Sequence, residues 1–267
     1  MPPVRLDTDI DRAPSCNGRP DRTVFRMSCF CGSIRRWLMF SVLFEMLPRA
    51  EKHDAHAALA ASLMPELGTM PGYIDGPLYK SLLRKGWLMS LSTWRDEKSL
   101  VRWRTRRIHA EAQEKGRSEI LEDYRFRVGE VTHDTAIPEG CTLRGQRLDE
   151  TETGGGTAVT LIDAEQDPQW VASQDPQEIA LFLGFDLNSY GDCVSWDVFE
   201  SAYKPGAILL LCAWKDQASA IEFAKSAMVP DGSRIRGARI VRDYAMFDRR
   251  EAPQYYPDAA GRETIHA

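Results

Sequence analysis

Leu91-Ser-Thr-Trp94-Arg-Asp96-Glu-Lys-Ser-Leu-Val-Arg-Trp103-Arg104 holds a strand end, a cap and the start of a helix in one short run. Residues 87–94 read as an apolar strand. Asp96 stands where a side-chain oxygen can accept the first free helical N–H groups, so a helix is expected from Glu97 to about Glu114, with Gly116 as its stop. Going back toward the N-terminus, 84–86 (Arg-Lys-Gly) reads as a hairpin, 73–83 as the preceding strand, and Pro71-Gly72 as a turn. Further back, 38–47 is a buried strand closed by Pro48, and 49–63 is an Ala-rich helix ending before Pro65 and Gly68. Toward the C-terminus, 119–130 is a strand with Ile120, Tyr124, Phe126 and Val128 as core candidates. The order β-α-β-β-α-β is the ferredoxin-like, split βαβ form of the α+β class.

The pattern returns 120 residues later. Glu45 meets Glu165, Leu63 meets Leu183, Gly86 meets Gly206, Trp94 meets Trp214, Asp96 meets Asp216, and Asp123-Tyr124 meets Asp243-Tyr244. A constant offset over four strands and two helices reads as a tandem duplication. The expected organisation is a leader or overcalled start over 1–36, a first domain over 37–131, a linker over 132–156, a second domain over 157–250, and a tail over 251–267. An added strand is expected at 141–150, and Gly154-Gly155-Gly156 is a flexible turn, since no Lys-Ser/Thr follows it as in a phosphate loop. A four-stranded sheet with helices on one face leaves its other face bare. Two ferredoxin-like repeats packed sheet to sheet, as an intramolecular dimeric α+β barrel, would bury both bare faces.

Composition narrows the function classes. The chain has 267 residues, 34 Lys+Arg against 39 Asp+Glu, and a net charge of -5, without the basic excess of a nucleic-acid binder. No apolar run approaches a membrane span, and 1–36 lacks the compact apolar core of a secretory signal, so a cytoplasmic protein without nucleic-acid or membrane partners is expected. Cys29-Phe-Cys31 has the wrong spacing for zinc, and Cys212 in its apolar run reads as a buried reduced thiol. No metal site is expected.

The 91–104 run, with His109, Gln113 to Arg117 and Asp123-Tyr124 after it and Phe44-Glu-Met-Leu-Pro48 and Pro71-Gly72-Tyr73 before it, resembles the antibiotic biosynthesis monooxygenase family over about 38–130. The second repeat looks like a diverged copy. The resemblance implies oxygenation of a small aromatic or polyketide-like phenol or enol in a first-repeat pocket, with no cofactor beyond molecular oxygen as co-substrate. A non-catalytic small-molecule-binding or regulatory barrel is the alternative. Haem-degrading relatives imply a first-strand Asn and a His ten residues beyond the helical Trp. Here 38–47 holds no Asn, and Gln113 stands at the second position.

His109 is the candidate proton acceptor, because a histidine titrates near neutrality and offset position 229 is a valine. Gln113, one turn on, shares its helix face. Phe44, Trp94, Trp103 and Tyr124 are the candidate aromatic walls, with Arg104 and Arg107 holding negative charge. Each has a plainer reading: Trp94 and Trp103 as core packing, Asp96 and Asp216 as caps, the arginines as a solvated helix face. His53 and His56 fall on a polar helix face.

Overall fold

The computed structural model describes residues 37–143 and 155–248, the side chains of 37 and 38 excepted. The expectations for 1–36, most of 141–150, Gly154 and the tail therefore lie outside the described residues. Of the added strand, Cys141–Thr142 is described and pairs in parallel with Trp37–Leu38.

Strand β1 (Phe40–Pro48) alternates, with Phe40, Val42, Phe44 and Met46 facing the helices and Leu43 and Glu45 facing the other way. Helix α1 (His53–Leu67) runs on through Pro65, where an end before that proline was expected. Near a terminus a proline forfeits a single backbone bond, and the Gly68 N–H closes the turn on the Met64 carbonyl at 3.0 Å. The strand expected over 73–83 is two, β2 (Tyr73–Asp75) and β3 (Leu78–Ser81), separated by Gly76-Pro77. Gly86, at φ 84°, turns the chain into β4 (Leu88–Trp94).

Asp96 caps α2 (Glu97–Arg104) as expected, accepting from the Ser99 N–H at 2.7 Å. The helix does not continue to 114. Thr105 bonds its hydroxyl back to the Val101 carbonyl at 3.0 Å, Arg106 turns extended, and α3 (Arg107–Lys115) starts in a new direction. A wider helical turn, Gly116–Ile120, leads into β5 (Leu121–Asp134). The second half comprises β6 (Ala158–Glu165), α4 (Pro168–Ser173), α5 (Pro176–Phe182), β7 (Cys193–Ser201), β8 (Ala207–Trp214), α6 (Gln217–Ser226) and β9 (Arg234–Ala245).

Eight strands close into one antiparallel ring in the order β1-β5-β9-β6-β8-β7-β3-β4 and back to β1, with β2 added along β4. The face-to-face expectation missed the edges: β5 pairs with β9 and β3 with β7, so the halves share two hydrogen-bonded seams. Closure leaves no open edge in the ring. Its interior is one apolar cluster drawn from both halves, including Leu43, Met89 and Leu91 with Leu161, Phe199 and Leu211. At the β5–β9 seam, a side chain on Gly129 would stand 2.8 Å from the Ala238 Cβ, so the close approach requires glycine.

The ladders of the halves correspond, although not at one offset. Leu43 lies between Leu91 and Arg127, and Leu161 lies between Leu211 and Arg236, which places the partners 118, 120 and 109 residues apart for the first, third and last strands. Polar pairs repeat in the same register: Arg127 meets Glu45 and Arg236 meets Asp163 at 2.7 Å, while Arg125 meets Asp243 at 2.9 Å and Arg234 meets Asp134 at 2.7 Å. The expected match of Asp123-Tyr124 with Asp243-Tyr244 is therefore out of register. The second half passes from α6 to β9 without a second helix, so α3, which carries His109 and Gln113, has no counterpart, and Val229 is not the equivalent of His109.

Candidate functional site

On the helix-facing side of the first half, one cross-strand row runs Leu78, Ser90, Phe44, Phe126, Tyr244 over β3, β4, β1, β5 and β9. Phe44 and Phe126 lie 6.0 Å apart between ring centroids, Phe126 and Tyr244 stack at 4.9 Å, and Tyr124 meets Phe44 edge-on at 5.8 Å. Ser90, Phe44, Phe126 and Tyr244 are all half-buried, so solvent reaches this floor. The corresponding floor of the second half is shut. Leu210, Ile162 and Ile235 stand at the positions of Ser90, Phe44 and Phe126, all buried, and Phe185 and Phe223 pack over that sheet against Trp214 at the end of β8.

His109 lies flat on Trp103, rings 4.5 Å apart and 16° from parallel. Its Nδ1 is 3.2 Å from the Trp103 carbonyl and 3.1 Å from the Gln113 side-chain amide. A carbonyl only accepts, whereas the two ends of an amide exchange by a half-turn, so the backbone decides the tautomer. Nδ1 carries the proton, and the lone pair of Nε2 has the Gln113 amide nitrogen 3.5 Å away. Burial lowers the imidazole pKa to about 4; the Trp103 carbonyl pulls the other way, and the Arg104 charge lowers it further. The ring is neutral at physiological pH.

Arg104, half-buried, holds its guanidinium over the Tyr244 ring at 5.9 Å and has no carboxylate partner among the described residues. Tyr124 is buried, its hydroxyl accepting from Arg117 at 3.0 Å. Two expected residues are placed apart from this group. Trp94 is fully buried in the core beneath α2, its indole N–H donating to Ser92 at 2.9 Å. Arg107 has its side chain 90% exposed and pairs with Glu111 at 3.0 Å. His53 is exposed as expected, but His56 turns inward, donating from Nε2 to the Met46 sulfur at 3.1 Å. Burial and the neighbouring His53 lower its pKa.

Ser90, Phe126 and Tyr244 were not among the sequence candidates for the site. The serines had a signal: β4 presents Ser90 and Ser92 to the helices where β8 presents Leu210 and Cys212. Phe126 and Tyr244 join the row only through strand register. Among the described residues, no group of three His, Cys, Asp or Glu could hold a metal, and no helix is long and apolar enough to cross a membrane. Cys212 is a buried free thiol.

Residues 39–115 match the family model described as antibiotic biosynthesis monooxygenase. The jasmonate monooxygenase ABM of Pyricularia oryzae is 39% identical over 227 residues, taking in 83% of this chain and all of that one. Among solved structures, an aldoxime dehydratase bound to butyraldoxime shares 11% identity over 78% of this chain and 80% of that one, at a TM-score of 0.47. An anthrone oxidase-like protein shares 12% identity over 79% and 94%, at a TM-score of 0.34.

Proposed function

The chain belongs to the antibiotic biosynthesis monooxygenase family, and from that premise we propose that its first half oxygenates a small enolisable molecule without a bound cofactor, using molecular oxygen as co-substrate. The observation that carries this reading is His109: a neutral imidazole with an unprotonated Nε2, stacked on the buried Trp103, on a helix the second half lacks. A relative of 39% identity is named for jasmonate, a cyclopentanone with an acetic acid arm, and the carbon beside such a ketone is an acidic C–H.

In the proposed reaction, Nε2 takes that proton and the enolate passes one electron to O₂. The radical pair then couples into a C–O–O bond, and the imidazolium returns its proton to the peroxide. On a CH₂ carbon, loss of water leaves a ketone, so one oxygen atom ends in product and the other in water, with no external reductant. With the substrate lying on the floor, its own apolar surface and the rings of Phe44, Phe126 and Trp103 displace water from around the intermediate. The second half is, in this reading, a tandem-duplicated built-in partner that closes the barrel and lends Tyr244 to the site.

Oxygen uptake tests the reading, using jasmonate and a panel of anthrones and hydroquinones with chelator present and no flavin or haem added. Uptake matched by product is expected, falling about 10²–10⁴-fold in His109→Ala. The acid limb of kcat/KM is expected near pH 4, where the buried imidazole titrates, and not near 6.5. Absence of uptake with every compound would return the protein to the non-catalytic binding class.

A further inference from the structure

We propose that the first-half layer binds a small carboxylic acid lengthwise across the barrel wall, its carboxylate on Arg104 and a hydrogen-bonding group at its far end on Ser90. The proposal deepens the reading above and rests on it for the location of the site. The row Ser90, Phe44, Phe126, Tyr244 crosses four neighbouring strands by direct register. With strands about 4.8 Å apart, it spans about 14 Å. Its chemistry is graded: a hydroxyl at one end, two phenyl rings in the middle, and a phenol under a guanidinium at the other.

The two ends lack what they are built to hold. Arg106 faces Glu66 at 3.3 Å and Arg107 faces Glu111, whereas Arg104 is half-buried with no acid beside it among the described residues. A guanidinium withdrawn from water without a counter-ion favours an incoming carboxylate, which it can meet with two parallel N–H groups. The Ser90 hydroxyl likewise has no hydrogen-bond partner among the described residues, and it sits where the closed second half carries the buried Leu210. The phenyl rings between them match an apolar middle.

Equilibrium binding to the full chain under anaerobic conditions tests this, with jasmonic acid, its methyl ester and decanoate as probes. The wild type is expected to bind both acids and to prefer jasmonic acid over its ester. Arg104→Gln should weaken the acids about 10–100-fold while sparing the ester, the range of a charge-assisted hydrogen bond. Arg104→Lys should restore part of the preference, and it carries the test if the glutamine variant fails to fold. Ser90→Leu should weaken acid and ester alike and leave their ratio unchanged. An acid-to-ester ratio unaltered in Arg104→Gln, or no binding of any probe to the wild type, overturns the proposal. Acid-selective binding without oxygen uptake would keep it and remove the monooxygenase chemistry; equal turnover of acid and ester would do the reverse.

Discussion

Glu45 lies on the barrel side of β1, buried beside Leu43. Burial by itself would raise its pKa, but the charges of Arg127, Arg84 and Arg125 hold it down to about 2. Arg84 donates to it at 2.5 Å and to Asp197 at 2.7 Å, tying β1 to β7 of the other half. Burial pulls the Arg127 pKa down as well, yet arginine starts so high that it stays charged. The folded pKa lies below the unfolded value of 4.5, so the stabilisation is fully present above pH 4.5 and is lost as pH falls through about 2. Glu45→Gln leaves Arg127 buried without its counter-charge and should cost about 3–5 kcal/mol at pH 7. Urea unfolding checks both points. The gap between variant and wild type should narrow on acidification below pH 4.5; a gap constant down to pH 2.5 would sink the assignment.

At the scale of elements, α2 shows what local chemistry specifies. Asp96 accepts from the Ser99 N–H at 2.7 Å, and Asp216 does the same for Ser219 at 2.9 Å in α6. Asp96→Ala should lower stability by about 1 kcal/mol, measured by thermal or urea unfolding, with the closed fold retained. Caps of this kind were legible in the sequence because they involve three or four consecutive residues. So were the turn at Gly86 and the grouping of Trp103, Arg104, His109 and Gln113, which the structure brings together within two short helices. The break at Thr105 was not legible: in the chain alone nothing competes with a continuous helix, and in the fold α3 must turn toward the start of β5. The gap at Gly76-Pro77 likewise depends on pairing across the fold: β2 and β3 both meet β4, and only β3 goes on to pair with β7. Trp94 and Arg107 stand apart from the other site candidates because exposure is a tertiary property: one is sealed under α2, the other points to water. Tyr244 was out of reach because it joins the row through pairing with a strand more than 100 residues earlier.

At the scale of the whole molecule, what remains is how the halves depend on each other. Each four-stranded half offers two edges and one apolar face, and in the ring all three are satisfied by the other half of the same chain. The Glu45 network and the Arg236–Asp163 pair, with Tyr79 donating to Asp163 at 3.2 Å, add polar ties reaching across the seams. If this closure is intramolecular in solution, unfolding is a one-chain event, and its urea midpoint should not move over a hundredfold range of protein concentration. Closure between chains would instead raise the midpoint with concentration, since mass action then favours the assembled form. The seam supplies a matched perturbation. Gly129→Val places a side chain against the Ala238 Cβ, which an uncharged substitution can only relieve by parting β5 from β9. A loss on the order of 1–3 kcal/mol is expected from such overpacking. Because β9 also carries Tyr244, oxygen uptake should fall in the same variant even where it remains folded. A folded Gly129→Val protein with unchanged uptake would mean that the first half keeps its site without help from the second.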